Sequence, residues 1–285
     1  MLKTGIQFSK QGYEISDADL LRLYADVGFS SFFTGFVGEG DFNDRTADVA
    51  AKCGLVWESI HAPFGGITDI WKEGEKGDAW VTKLKAVADV CARYGIPYMT
   101  VHTMNVPQYN NNGPCGSRFN QLGTDRFAEI VSYCGERNVK ASFENVEFPQ
   151  REMESLIKEL EKRGLEKGMA VTYDVGHWHC YPCDLDFADT FGKHLIGTHV
   201  HDNFGVKDPQ IITWDDDSHV LPFDGTLDFR KVGETLRRCN YKGTITLEIS
   251  RSRVGMPWYQ DYTIEQYFAT AAERAAHVAR LCDEA

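Results

Sequence analysis

Eight times along this chain a short apolar run gives way to a longer amphipathic segment, and no other feature restricts the possible folds as much. Strand-like runs cover Gly5–Ser9, Ser31–Phe36, Leu55–His61, Tyr98–His102, Lys140–Glu144, Ala170–Asp174, Ile196–Val200 and Thr244–Ile249. Helix-like segments fall between or after them, at Asp17–Val27, Arg45–Lys52, Asp78–Tyr94, Thr124–Arg137, Glu152–Arg163, Asp186–Lys193, Phe229–Cys239 and Ile264–Leu281. Ser16 or Asp17, and Thr124, are placed to cap helix starts. Gly28, Gly54, Gly95 and Gly164 follow helix ends, where a left-handed residue closes the last turn at little cost. Eight such units in 285 residues are the count of a (β/α)8 barrel. An open doubly wound sheet would carry GxGxxG after its first strand, and that fingerprint is absent. No linker, low-complexity tract or strict repeat divides the chain, so the expectation is an α/β protein, a single (β/α)8 TIM barrel over residues 1–285.

Charge narrows the partners. The formal net charge is −12, with no basic block, whereas proteins that follow phosphate backbones gather Lys and Arg on one face. Nucleic acid is therefore disfavoured as a partner. No apolar run reaches the roughly 18 residues of a membrane span, and MLKTGIQFS reads as a strand rather than a signal peptide, making the cytoplasm the default location. The eight cysteines, Cys53, Cys91, Cys115, Cys134, Cys180, Cys183, Cys239 and Cys282, are expected to be free thiols. Cys180 and Cys183 form a CxxC pair, but the second pair of a structural zinc site is missing. That segment reads as loop.

In a barrel of this kind the chemistry sits where strands end. His61 closes the third strand in SIHAPF and His102 the fourth in MTVHTM. Glu144 ends the fifth in SFENVE, Asp174 the sixth in VTYDVGH, His199 the seventh in GTHVHDN and Glu248 the eighth in ITLEIS. A single acid after a strand is ordinarily a helix cap or a solvated loop residue, and a lone His is ordinarily structural. Six in register is a different matter. Five of the nine histidines (His61, His102, His177, His199 and His219) fall at strand ends or in the loops that follow. Three carboxylates with an imidazole make an oxygen-rich donor set suited to Mn2+, Mg2+ or Co2+, with Zn2+ also compatible. Without a cation the acids would repel one another and raise each other's pKa.

Taken in order, HAPF, ENVE, DVGH, HVHDN, DDDSHVLPFDGTLDF and LEIS resemble the xylose isomerase-like TIM-barrel superfamily, which includes sugar isomerases, ketose 3-epimerases and endonuclease IV. The resemblance covers nearly the whole chain. It implies that Glu144, Asp174, His199 and Glu248 are metal ligands. It makes His199 a better ligand than His201, which shares its strand face but lies further into the loop. His61, His102, His177, Asp217 and His219 match the ligands of two additional zinc ions in endonuclease IV. In sugar-processing relatives such groups contact substrate around one metal.

The function this implies is a metal-dependent sugar isomerase or epimerase. It would abstract a proton next to a metal-bound carbonyl, through an enediolate, with Glu144 and Glu248 on opposite sides of the rim as the acid/base pair. His177 would hydrogen-bond a substrate oxygen, and His61, His102 and His219 would line the pocket. Trp57, Trp178, Phe64 and Trp214 are candidates to stack on a sugar, with core packing as the ordinary alternative. The absence of a P-loop favours an unphosphorylated sugar, while Arg118, Arg251 and Arg253 are the arginines available to an anion. The alternatives are an endonuclease IV-like multinuclear phosphodiesterase, a lyase or dehydratase acting on an oxidised sugar or glycoside, and a non-catalytic sugar-binding barrel. A homo-oligomer is compatible with the sequence.

Overall fold

Short runs rich in β-branched and aromatic residues form eight parallel strands: β1 (Lys3–Gln7), β2 (Ser31–Gly35), β3 (Val56–His61), β4 (Tyr98–Val101), β5 (Lys140–Glu144), β6 (Met169–Asp174), β7 (Leu195–His199) and β8 (Thr244–Leu247). A computed structural model describes residues 1–104, 119–146, 150–181, 184–208, 216–252 and 256–283. Cys115, Arg118, Cys183, Trp214 and Arg253 lie outside the described residues. The strands pair in the order β7-β6-β5-β4-β3-β2-β1-β8. A parallel bridge between Val200 and Leu247 joins the two ends, with Val200 N–H donating to Thr246 O at 2.8 Å and Glu248 N–H to Val200 O at 3.1 Å. The sheet is thus a nearly closed barrel, a single (β/α)8 TIM barrel.

Nine α-helices are assigned among the described residues: α1 (Asp17–Asp26), α2 (Asp41–Cys53), α3 (Glu75–Tyr94), α4 (Gln121–Glu136), α5 (Gln150–Lys162), α6 (Val175–Cys180), α7 (Phe187–Phe191), α8 (Phe229–Arg238) and α9 (Ile264–Leu281). Three of them depart from expectation. Asn120, not Thr124, caps α4: its side chain accepts from Gly123 N–H at 2.9 Å, while the Thr124 hydroxyl bonds back to Asn120 O. The segment expected as Asp186–Lys193 stops at Phe191 and tightens into a 3-10 turn over Gly192–His194. The short helix α6 was not anticipated, because HWHC has no amphipathic period to show it. No helix among the described residues is long and apolar enough to cross a membrane.

Alternation along the strands sorts the side chains. Ile60, Met99, Val101, Ala141, Phe143, Val171, Tyr173, Ile245 and Leu247 are buried in the apolar core. Their neighbours on the opposite face, Ser59, Thr100, Ser142, Thr172 and Thr246, are equally buried and line a polar barrel interior. Two residues further on, the same face delivers His61, His102, Glu144, Asp174 and Glu248, with His199 in the corresponding place two after Gly197. One register in β3 is shifted: Phe32 pairs with Trp57 and Phe33 with Ser59, so Glu58 is the extra residue of a bulge. Its buried carboxylate accepts hydrogen bonds from Ser31 Oγ at 2.8 Å and from the Thr246 hydroxyl.

Candidate active site

Glu144 is the hub of the C-terminal mouth. It is fully buried, and three imidazoles converge on it: His102 Nε2 at 2.9 Å and His61 Nε2 at 3.3 Å from Oε2, and His199 Nδ1 at 2.7 Å from Oε1. The same His199 nitrogen lies 3.0 Å from Glu248 Oε2. Glu144 and Glu248 therefore come from separated strands but meet at one imidazole. The His199 ring rests on Phe33, with centroids 4.6 Å apart and planes 18° from parallel.

Asp174 has two jobs. Its Oδ1 caps α6 by accepting from His177 N–H at 2.7 Å, which turns the chain inward directly after β6. Its buried Oδ2 has no hydrogen-bond partner. Asn145 fixes the backbone here, donating to Asp174 O and accepting from Asp174 N–H, both at 2.7 Å. One donor atom from each of Glu144, Asp174, His199 and Glu248 lies within 4.8 Å of the others. An unpartnered carboxylate oxygen among converging anions is costly unless a cation satisfies it, so these residues fit a divalent metal.

A second group stands beside the first. His177, His201, Asp217 and His219 bring donor atoms within the same 4.8 Å limit, and all four are buried. Asp217 Oδ2 lies 3.1 Å from His219 Nε2 and 3.4 Å from His177 Nε2. His201 stacks on His219 with centroids 3.7 Å apart, and its Nε2 lies 3.1 Å from Asp174 Oδ1 without the alignment of a hydrogen bond. A third grouping, His61 with Glu144 and His199, shares two members of the first.

Pairing governs the charges. Burial alone would raise Glu144, but the charge of His199 and hydrogen bonds from His102, His199 and His61 hold it well below the usual carboxylate range. Asp217 is lowered in the same way, burial being outweighed by His219 and His177. His199 is pushed well above its ordinary value because Glu248 and Glu144 outweigh desolvation. Burial opposes the charge on His177 too, yet Asp174 and Asp217 raise it to about 10. For His102 burial wins and the pKa falls.

These groups open onto a cavity of about 580 Å3 that runs from the mouth toward β1, β2 and the end of β8. His61, His102, Glu144, His177, Asp217, His219 and Glu248 line it together with Gln7, Ser9, Ser250 and Ser252. None of its lining among the described residues is Lys or Arg. Phe64 stands at its edge, 37% exposed and stacked on His102 at 4.5 Å.

The other aromatic candidates have other roles. Trp57 is buried against Phe32 and donates to Ser59 O, while Trp178 packs on Tyr173 and Phe187. Arg251 is spent on the backbone oxygens of Gln11, Tyr259 and Gln260 and on the Tyr13 ring. The described cysteines are free thiols. Sequence reasoning passed over Phe33, Asn145 and Gln7, and set His201 in the loop beyond the rim, whereas it is fully buried. The two-residue strand period already put His201 on the face of His199; what it could not show is that the chain just beyond β7 is still buried.

A family model described as xylose isomerase-like TIM barrel matches residues 21–283. The uncharacterized protein y4fM of Sinorhizobium fredii is 28% identical over 262 residues, which is 81% of each chain. Among solved structures, a D-psicose 3-epimerase with D-tagatose, from Clostridium cellulolyticum H10, is similar with a TM-score of 0.72 over 99% of both chains, at 11% identity. A 3-keto-D-glucoside 4-epimerase from E. coli gives 0.69 over 98% of this chain and 100% of its own, at 13% identity. At these identities the solved structures share the fold, and chemistry has to be argued from the site.

Proposed function

This chain belongs to the xylose isomerase-like TIM barrel family, and from that premise we propose that it is a divalent-metal-dependent sugar isomerase or epimerase. The observation that carries the proposal is the convergence of Glu144, Asp174, His199 and Glu248 beside a cavity lined with amides and hydroxyls. These four would hold the metal, with Mn2+ the first candidate and Mg2+, Co2+ or Zn2+ also suited to the donors. Bound there, it would supply Lewis-acid polarisation of a substrate carbonyl. Glu144 and Glu248 reach the mouth from β5 and from the end of β8, so one can take the proton beside that carbonyl while the other returns it. His102 and His61 hold Glu144 in place, and Phe33 holds the His199 ring. Phe64 offers an aromatic face to the apolar side of a sugar. With no Lys or Arg among the described lining residues, the cavity suits a neutral sugar better than a phosphorylated one.

Incubating the Mn2+-loaded protein in D2O with D-tagatose, D-psicose and a set of 3-keto-glucosides tests this chemistry by mass spectrometry. At least one sugar is expected to take up deuterium at a carbon beside its carbonyl, and Glu144→Gln and Glu248→Gln should each abolish the uptake. Exchange retained in either variant removes that residue from the acid/base role, and no exchange with any sugar removes the reading.

A second reading, a multinuclear phosphodiesterase, draws support from the His177, His201, Asp217 and His219 group. It predicts two or three metals per chain and salt-sensitive binding to abasic DNA. The net charge of −12 weighs against it. A lyase or dehydratase would share the first proton abstraction, and the product formed in the same incubation distinguishes it.

A further inference from the structure

We propose that Asp202 is a positioning residue whose single carboxylate holds the Asp217–His219 wall of the cavity in place. Asp202 is fully buried next to His201, and four backbone N–H groups converge on it. Oδ1 accepts from Asn203 at 2.8 Å and Leu227 at 3.1 Å, and Oδ2 from Phe223 at 3.0 Å and Gly225 at 2.9 Å. Its own backbone pairs with Val220 in both directions at 2.9 Å. The segment from Asp217 to Leu227 is thereby wound around one side chain.

The chemistry asks for an aspartate at this place. An ionised carboxylate offers two oxygens and about four acceptor sites, whereas an amide offers one oxygen and turns two N–H donors toward the other pair. The winding also has to hold an unfavourable backbone. His219 and Phe223 both have left-handed φ, at 49° and 73°, and such a backbone at a non-glycine residue persists only where its surroundings enforce it. At Gly225 a Cβ would collide with Asn203 O and Asp202 Oδ1. The loop approaches the carboxylate this closely because no side chain intervenes.

The consequence for the site is specific. With the loop seated, His219 Nδ1–H donates to Glu248 O at 2.9 Å and Ser250 N–H donates to His219 O at 2.8 Å. Nε2 then faces Asp217 Oδ2 at 3.1 Å. Tyr259 and Arg274 grip the outer side of the same loop, at Leu221 N–H and Pro222 O. Removing the inner bonds should therefore shift the loop without detaching it. The assignment holds whether the cavity takes a sugar or a phosphodiester.

Amide hydrogen exchange and long-range 1H–15N spectra of histidine-labelled protein test it. In the parent protein the Phe223, Gly225 and Leu227 amides should be protected although they lie in no helix or strand, and His219 should show a single 15N signature with a proton on Nδ1. In Asp202→Asn, and independently in Gly225→Ala, these amides should exchange at least about tenfold faster. In both variants the His219 signals should lose that single signature, while the strand amides keep their protection. Unprotected loop amides in the parent protein would overturn the proposal without any variant. A His219 signature unchanged in both variants would do the same, as would protection lost evenly across the barrel, which would mark Asp202 as a general support of the fold.

Discussion

A carboxyl group sealed inside the barrel has little freedom in its charge state. Desolvation raises Glu58 above its ordinary pKa, and hydrogen bonds from Thr246 and Ser31 offset this only in part. Below the ordinary glutamate value both the folded and the unfolded chain carry the proton. As pH rises through that value the unfolded chain ionises first, so stability falls until pH passes the raised folded value. Glu58→Gln is expected to remove this decline. Urea midpoints of the two proteins across that window should converge at low pH and separate in favour of the variant as pH rises. Parallel curves would show that Glu58 is ionised in the folded protein. At this scale the sequence exposes some residues and hides others. Glu144, Asp174, His199 and Glu248 were legible because each lies at the end of a period-two run that any strand must present to the mouth. Asn145 and Asp202 act through backbone groups distant in the chain, so nothing local marks them. For Trp57 the sequence left sugar contact and core packing side by side, because an aromatic side chain looks the same whether it faces substrate or core, and the structure puts it in the core.

Elements were easier to read than their edges. All eight strands fall where β-branched and aromatic runs placed them, since burial on both faces leaves a strong pattern. Helix starts depend on which side-chain oxygen reaches a free N–H, and at α4 both Asn120 and Thr124 qualify by type. The geometry chose Asn120 because the first turn of α4 lies against Trp71. Gly123 is where that contact is tightest: a Cβ there would run into the Trp71 ring. Gly123→Ala sets two effects against each other. Helix propensity gains about 1 kcal/mol, and forcing a methyl into a filled space costs about 1–3 kcal/mol. The steric cost should win, because the ring is itself fixed by Trp71 Nε1–H donating to Thr103 O at 2.6 Å. A lower urea midpoint for Gly123→Ala is expected, and a higher one would mean that Trp71 can move aside.

Across the whole molecule, the cost of gathering carboxylates at one mouth makes stability depend on what satisfies them. Any cation that binds the folded barrel and not the unfolded chain stabilises it by mass action, about 2.7 kcal/mol at 100 times its Kd. Protein stripped with EDTA should therefore melt lower than protein with Mn2+ added back, and Asp174→Asn should shrink that difference. Equal melting of stripped and reloaded protein for Mn2+, Mg2+, Co2+ and Zn2+ alike would remove the metal from the proposed function. The barrel itself was legible from the count of units. The polarity of its interior was not, because Ser and Thr in a strand are equally at home facing water.

The join between β7 and β8 has one more consequence. Its backbone bonds run through Val200, and the Thr198 hydroxyl substitutes for others by accepting from Thr246 N–H and donating to Thr244 O. His199 and Glu248 flank that join from either side. Whatever both of them grip lies across it like a clasp on a split ring. Such a guest would brace the closure at the place where it is made by a single bridge.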